Sequence, residues 1–111
     1  MTNRYGFSRT NPEPFQALFL EWVVSMGYGP SYNSYRIEKA WKNVSGSESQ
    51  TVRTFFRDGI LYVTLNSSAL RSHLSLSVEN LRTRLNRELD EDGRFIKGYA
   101  FSRKVDKIVL K

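Results

Sequence analysis

The dipeptide Asp58-Gly59 places the strongest constraint on how this 111-residue chain folds. It separates two runs, residues 51–57 and 60–66, that are rich in β-branched, aromatic and aliphatic side chains. Both central positions of a two-residue hairpin turn need a positive φ, which Asp and Gly adopt more readily than most residues. The sequence therefore predicts an antiparallel β-hairpin whose pairing register is set by its turn.

That register gives the hairpin two faces, because side chains alternate along a strand. The predicted core face carries Val52, Thr54, Phe56, Leu61, Val63 and Leu65, and the other face carries Arg53, Phe55, Arg57, Ile60, Tyr62 and Thr64. On this second face, Phe55 and Tyr62 are predicted cross-strand neighbours with arginines beside them. Aromatic rings among arginines on a sheet are typical of a platform for stacking single-stranded bases. Alternatively, a helix covers this face and the two rings belong to the core.

Two helices are predicted before the hairpin. The first follows the start signal Asn11-Pro12-Glu13-Pro14 and ends near Gly27. Its apolar face consists of Phe15, Leu18, Phe19, Trp22, Val23 and Met26. The second helix is predicted to be capped by Ser31 and to close at Ser45-Gly46-Ser47. Its apolar residues are Tyr35, Ile37, Ala40, Trp41 and Val44.

A long helix and a final strand are predicted after the hairpin. Ser67 or Ser68 caps the helix, which runs to about Leu89 with an apolar stripe of Leu70, Leu74, Val78, Leu81, Leu85 and Leu89. Residues 90–93 form an acidic turn, and residues 94–102 form a loop or a further short strand. Residues 103–111 form the final strand, with Ile108 and Leu110 on one face and Val105, Lys107 and Val109 on the other.

This order of elements predicts an α+β fold in which helices pack on a small sheet. We expect residues 1–11 to be a flexible lead-in and residues 12–111 to form one domain. The chain has no cysteine, no apolar run near its start that resembles a signal peptide and no apolar run long enough to span a bilayer. We therefore expect a cytoplasmic protein with no membrane partner.

The charge balance favours a polyanionic partner. Lys and Arg number 17 against 11 Asp and Glu, which gives a formal net charge of +6. Such an excess favours contact with phosphates, although it also serves ordinary solubility. Four arginines lie off the stripe of the long helix, namely Arg71, Arg82, Arg84 and Arg87. On one continuous helix, Arg71 and Arg82 would be three turns apart on nearly the same side, where they either follow a phosphate backbone or solvate the helix.

The sequence contains no recognisable catalytic constellation. His73 is the only histidine, and no second histidine, cysteine or suitably spaced acid accompanies it. The acids of residues 90–92 fall at the unfavourable end of a helix dipole. Phosphate-binding, dinucleotide-binding and nucleophile-elbow motifs do not occur. We therefore expect no enzyme activity, no cofactor, no metal and no small-molecule substrate.

An ordered set of motifs resembles a family of small bacterial proteins of unknown function that includes DciA, the loader or operator of the replicative helicase. The motifs are IEKAWKNVSG at residues 37–46, RDGILYV at 57–63, NSSALRSHL at 66–74, Leu81, Leu85-Asn86 and DKIVL at 106–110. The resemblance covers roughly residues 12–111. It implies a KH-like domain, contact with the replicative helicase and affinity for DNA, including single strands.

The sequence also departs from that family. Val44-Ser45-Gly46 stands where many members repeat valine before glycine, the stretch from residue 90 to residue 102 is longer than usual, and no basic tail is present. KH domains clamp a nucleic-acid backbone with a GXXG loop, and no such tetrapeptide occurs here, since Gly93 and Gly98 have the wrong spacing. Nucleic-acid binding must therefore use other residues.

The sequence thus predicts a non-enzymatic adaptor that binds DNA and the helicase. The predicted DNA contacts are Arg53, Arg57, Tyr62 and Lys107 from the sheet and Arg71, Arg82 and Arg87 from the long helix. The cations would pair with phosphates and the tyrosine would stack on a base. The alternative is a protein-interaction or dimerisation module without a nucleic-acid role, joined to its partner through the aromatic hairpin face or a surface of Trp22 and Trp41.

Overall fold

The computed structural model describes residues 14–111, whose helices and strands have the predicted α+β character. The elements are α1 (Pro14–Ser25), α2 (Gly29–Ser45), a short 3₁₀ turn (Glu48–Gln50), β1 (Thr51–Arg57), β2 (Ile60–Leu65), α3 (Ser68–Ser75), α4 (Val78–Glu91) and β3 (Lys107–Leu110). The predicted lead-in and the start signal up to Glu13 lie outside the described residues.

The predicted hairpin is confirmed, together with its turn. Asp58 and Gly59 have φ values of 53° and 80°, as a two-residue turn with two left-handed positions requires. Arg57 pairs with Ile60 and the register continues outward as far as Arg53. A bulge between Thr51 and Arg53 then removes Val52 from the ladder. Val52 was predicted to face the core, but the bulge leaves it 64% exposed.

The sheet has three strands in the order β1-β2-β3. β3 lies parallel to β2, with Ile60 opposite Lys107 and Tyr62 opposite Val109. The final strand was predicted from residue 103, yet it begins at Lys107. Val105 cannot join the sheet because the Asn86 side chain takes both of its backbone groups, in hydrogen bonds of 2.8 and 2.9 Å.

The core lies between one face of this sheet and helices α2, α3 and α4. Its buried members are Ile37, Ala40, Trp41, Leu61, Val63, Leu65, Leu74, Leu81, Leu85, Leu89, Phe95, Val105 and Ile108. Trp41 is fully buried, and its Nε1 donates a hydrogen bond to the Thr51 hydroxyl at 3.2 Å. The prediction that Trp41 contributes to a partner surface is therefore wrong.

The long helix predicted to reach Leu89 is two helices. Ser67 caps α3 as predicted, accepting a hydrogen bond from the Leu70 amide at 3.1 Å. The chain tightens at Leu76 and Ser77, whose amides bond back three residues, to the carbonyls of His73 and Leu74. Serine is a weak helix former because its hydroxyl competes for backbone groups, and the Ser75 hydroxyl bonds to the Arg71 carbonyl at this point.

The segment from residue 92 to residue 102 forms a loop that is fixed to α2, without the short strand considered as an alternative. Phe95 and Ile96 are buried, and the side-chain amide of buried Asn33 exchanges two hydrogen bonds of 2.9 Å with the Ile96 backbone. The base of the loop is held by an ion pair of 2.8 Å between Arg36 and Asp92. The acidic turn is therefore partly packed.

The two N-terminal helices differ from prediction in their details. α2 begins at Gly29 with Pro30 in its first turn, so Ser31 is not its cap, and Gly46 closes it in a left-handed conformation. In α1, only Val23 is buried. The rest of the predicted apolar face is exposed, namely Phe15, Leu18, Phe19, Trp22 and Met26.

Candidate nucleic-acid interface

The sheet face opposite the core brings nine residues into three rows. The rows, read across β1, β2 and β3, are Arg57, Ile60 and Lys107; Phe55, Tyr62 and Val109; and Arg53, Thr64 and Lys111. Lys111 extends β3 beside Thr64, since its backbone bonds to Val63 and Leu65. We call these nine residues the open sheet face. A cation occupies each of its four corners, and an aromatic and aliphatic row crosses its centre.

No described helix covers the open sheet face. Phe55 is 49% exposed, Tyr62 is partly exposed, and the four corner cations are exposed. The helices pack against the opposite face, where the hairpin contributes Leu61, Val63 and Leu65 to the core. The alternative in which Phe55 and Tyr62 belong to the core is therefore wrong for the part of the chain that the structure describes.

The aromatic centre of the face is held together by ring contacts. The rings of Phe55 and Tyr62 have centroids 6.1 Å apart and planes inclined at 35°. The Lys111 Nζ lies 5.0 Å from the Tyr62 centroid, in the geometry of a cation–π contact. A base that stacks on Tyr62 from this side would displace the ammonium group, which would then be free to pair with a phosphate.

The corner cations are available for anions. Within the described residues, Arg53, Lys107 and Lys111 form no ion pair, while Arg57 approaches its neighbour Asp58 at 3.6 Å with both side chains largely exposed. Exposed ion pairs of this kind contribute at most about 1 kcal/mol. Strand geometry separates the corners by about 13 Å along β1 and about 10 Å across the sheet. This spacing is suited to a backbone that passes over the central row.

The predicted helix arginines are not assembled in the same way. Arg71 belongs to α3 and Arg82 to α4, so the three-turn spacing predicted for a single helix is wrong. Arg82 pairs with Glu79 at 3.2 Å. Arg87 is exposed on α4, but five positions from Arg82 place it about 140° around the helix.

Lys111 is a member of the face that the sequence prediction missed. The sequence pattern does indicate this position, because Lys107, Val109 and Lys111 are every second residue of the last strand and therefore share a side of the sheet. The four predicted sheet residues, Arg53, Arg57, Tyr62 and Lys107, do lie together on this face.

Among residues 14–111, no three His, Asp or Glu side chains are grouped so that they could hold a metal ion. His73 is exposed on α3. A shallow cleft of about 290 Å³ lies between α1 and the loop of residues 93–99, and among the described residues that line it only Glu21 and Lys97 are charged. Burial raises the pKa of Tyr32, with Arg36 partly offsetting that effect.

None of the described helices combines the length and the apolar character that a bilayer crossing requires.

Comparison with known proteins identifies one family. The model of the family described as "Dna[CI] antecedent, DciA" matches residues 14–96, which is more than half of the chain. The match begins with α1 and ends within the loop of residues 92–102, so β3 lies beyond it. No curated protein and no solved structure matches the chain. Because the family model covers most of the sequence, the chain belongs to the DciA family.

Proposed function

We propose that this protein is a non-enzymatic adaptor of the DciA type, which binds single-stranded DNA on its open sheet face and contacts the replicative helicase. Family membership supports the loader-like role. The observation that carries the DNA-binding part is the arrangement of the open sheet face, with four cations around Phe55 and Tyr62.

The arrangement favours a single strand over a duplex. Bases of a single strand are free to stack on exposed rings, and each such stack stabilises binding by about 1–3 kcal/mol. Bases of a duplex are stacked on one another and offer only their edges in the grooves. A surface with aromatic rings at its centre and cations at its corners therefore gains most from unpaired bases whose phosphates reach the corners.

The proposed roles follow from position. Phe55 and Tyr62 stack on bases, while Arg53, Arg57, Lys107 and Lys111 pair with phosphates. This mode needs no GXXG loop, which the sequence lacks. It also makes binding tolerant of sequence, because every base has an aromatic face. The helix residues Arg71, Arg82 and Arg87 remain predicted phosphate contacts outside this surface.

The test compares two charge-matched double variants by fluorescence anisotropy with a labelled single-stranded oligonucleotide. Arg53→Gln with Lys107→Gln removes two corners of the open sheet face, and Lys39→Gln with Arg84→Gln removes two exposed charges, one from α2 and one from α4. We expect the sheet variant to weaken binding about tenfold or more and the helix variant to have a much smaller effect. Equal losses would mean that net charge alone attracts the DNA.

The helicase contact is tested separately with purified cognate helicase. Co-migration of the two proteins on size-exclusion chromatography in the absence of DNA is the expected result. If DNA binds but the helicase does not, the adaptor role is contradicted while the nucleic-acid interface stands. If neither binds, the proposed function is wrong.

A further inference from the structure

The first helix has an unusual distribution of apolar residues. α1 has the sequence PFQALFLEWVVS, in which Glu21 is the only charged residue. Ala17, Leu20 and Val24 line the cleft against the loop of residues 93–99. The other side carries Phe15, Leu18, Phe19 and Trp22, which together with Met26, just beyond the helix, we call the α1 apolar face. α1 thus carries large apolar side chains on two opposite sides, a pattern that is typical of a helix buried on both.

The α1 apolar face is nevertheless exposed. The exposed fractions are 79% for Phe15, 66% for Leu18, 44% for Phe19, 51% for Trp22 and 51% for Met26. Since one aromatic side chain buries about 150–250 Å², the exposed parts of these five residues amount to roughly 500 Å². A patch of that size is as large as the largest apolar patch of a typical monomer, and such patches often mark interaction sites.

Two residues of the face, Phe19 and Trp22, are already in contact with neighbouring rings. Phe19 contacts Trp22 and Tyr32 at centroid distances of 6.2 and 6.1 Å, and Trp22 contacts Tyr28 at 5.9 Å. Side chains that are already held by their neighbours lose less conformational entropy on association.

We propose that the α1 apolar face is a dimer interface between two copies of this chain. Two such faces would bury roughly 1,000 Å² in total, which is the lower bound for a specific interface and predicts a weak, micromolar dimer. The face carries no charge, so two copies with net charge +6 each meet where like charges are absent. Nucleic acid is excluded as its partner because α1 has no cation.

A second copy also matches the face better than the chain's own N-terminal residues. Residues 1–13 contain only three large apolar side chains, Met1, Tyr5 and Phe7, against five on the α1 apolar face. Two antiparallel copies of the helix related by a twofold axis complement each other along its whole length. In this arrangement Phe15 lies against the partner's Met26, and Phe19 lies against the partner's Trp22.

The experiment is sedimentation velocity on the full chain, without DNA, from about 1 to about 200 µM, a range that brackets a micromolar Kd. We expect a monomer–dimer equilibrium. Phe15→Glu and Met26→Lys should each abolish the dimer, because each would bury an unpaired charge. An equimolar mixture of the two variants should restore it, since the altered residues then face each other. Leu76→Glu, the same type of change at a leucine that is 88% exposed elsewhere, should leave the dimer intact.

Tryptophan emission provides a second readout. Trp41 is already fully buried, so a blue shift that grows with concentration would report Trp22 entering the interface. A wild-type chain that stays monomeric at every concentration overturns the proposal, as does failure of the mixed variants to associate when each has a wild-type melting temperature. Because no DNA or helicase is present, such a failure leaves the proposed function untouched.

Discussion

Phe55 and Tyr62 face each other across β1 and β2, with ring centroids 6.1 Å apart, on the side of the sheet that the described helices leave open. The face of the sheet on which these rings lie makes them available to a ligand and keeps them out of the core. Leu61 and Val63, the neighbours of Tyr62 along β2, point the other way and are almost completely buried. One strand therefore serves both the core and the proposed DNA surface, because its side chains alternate.

Removal of either ring should weaken single-stranded DNA binding without unfolding the protein. We expect Phe55→Ala and Tyr62→Ala each to reduce affinity by about 5- to 150-fold, the equivalent of losing one stacked base at about 1–3 kcal/mol. Tyr62→Phe keeps the ring and should bind like the wild type. Val52→Ala, at an exposed residue on the β1 bulge, is the matched control for lost apolar surface. Anisotropy titrations measure the affinities, and unchanged affinity of both alanine variants would exclude stacking.

The hairpin turn should tolerate alanine poorly at Gly59. This residue has φ of 80°, and an added Cβ would collide with the Asp106 carboxylate and with the Arg103 side chain, 2.7 Å away. Its carbonyl accepts a hydrogen bond of 2.7 Å from the Asp106 amide, so a shift of the turn also disturbs the approach to β3. The atoms in the way belong to exposed side chains that can move, so the added cost is mainly that of displacing their ion pair. We expect Gly59→Ala to lower the free energy of unfolding by about 1–2 kcal/mol.

Comparison of Gly59→Ala with Gly46→Ala separates the cost of steric contact from the cost of backbone strain. Gly46 also has a positive φ of 64°, but nothing lies within 4 Å of an added Cβ. Its substitution should therefore cost only the backbone strain, about 1 kcal/mol. Urea unfolding measures both variants. Equal losses would show that contact with Asp106 and Arg103 does not matter.

The Asn33 side chain should fix the loop of residues 92–102. Asn33→Ala leaves the buried amide and carbonyl of Ile96 without their partners, which should cost about 2–4 kcal/mol. Asn43→Ala removes an exposed hydrogen bond to Glu88 and should cost no more than about 0.5 kcal/mol. Urea unfolding gives both values, and amide exchange at Ile96 should accelerate only in the first variant. Similar exchange in both would contradict the assigned role.

Tyr32 should make stability fall at alkaline pH. Burial raises its pKa above the ordinary value of 10.0, so the folded state retains the phenolic proton at a pH where the unfolded chain releases it. The free energy of unfolding of the wild type should therefore decrease, relative to that of Tyr32→Phe, as pH rises from about 10 through the higher folded-state pKa. Urea unfolding between pH 8 and pH 11 tests this. A difference between the two proteins that stays constant with pH would contradict it.

Sequence reasoning succeeded where the signal is local. Asp58-Gly59 determines the turn, the turn determines the register, and the register places Arg53, Arg57 and Tyr62 on one face. It failed where distant residues decide the outcome. The loop of residues 92–102 is held by Asn33, which is 63 positions from Ile96 and carries no local mark of that role.

The break between α3 and α4 was hidden for a related reason. Leu74, Leu81, Leu85 and Leu89 all face the same core, so the apolar stripe stays in phase across Leu76 and Ser77 and resembles one long helix. Periodicity reports which side chains face the core, whereas continuity of the backbone depends on hydrogen bonds that the pattern does not encode. The prediction of a shared face for Arg71 and Arg82 failed with it.

The salt dependence of single-stranded DNA binding tests the central claim most directly. Four corner cations that pair with phosphates predict that log K falls with log salt with a slope of about −3, since each contact on a single strand contributes about −0.7. Arg53→Gln with Lys107→Gln should reduce the slope to about −1.4, and Lys39→Gln with Arg84→Gln should leave it near −3. A slope that changes equally in both variants, or absence of binding at low salt, would contradict a DNA interface on the open sheet face.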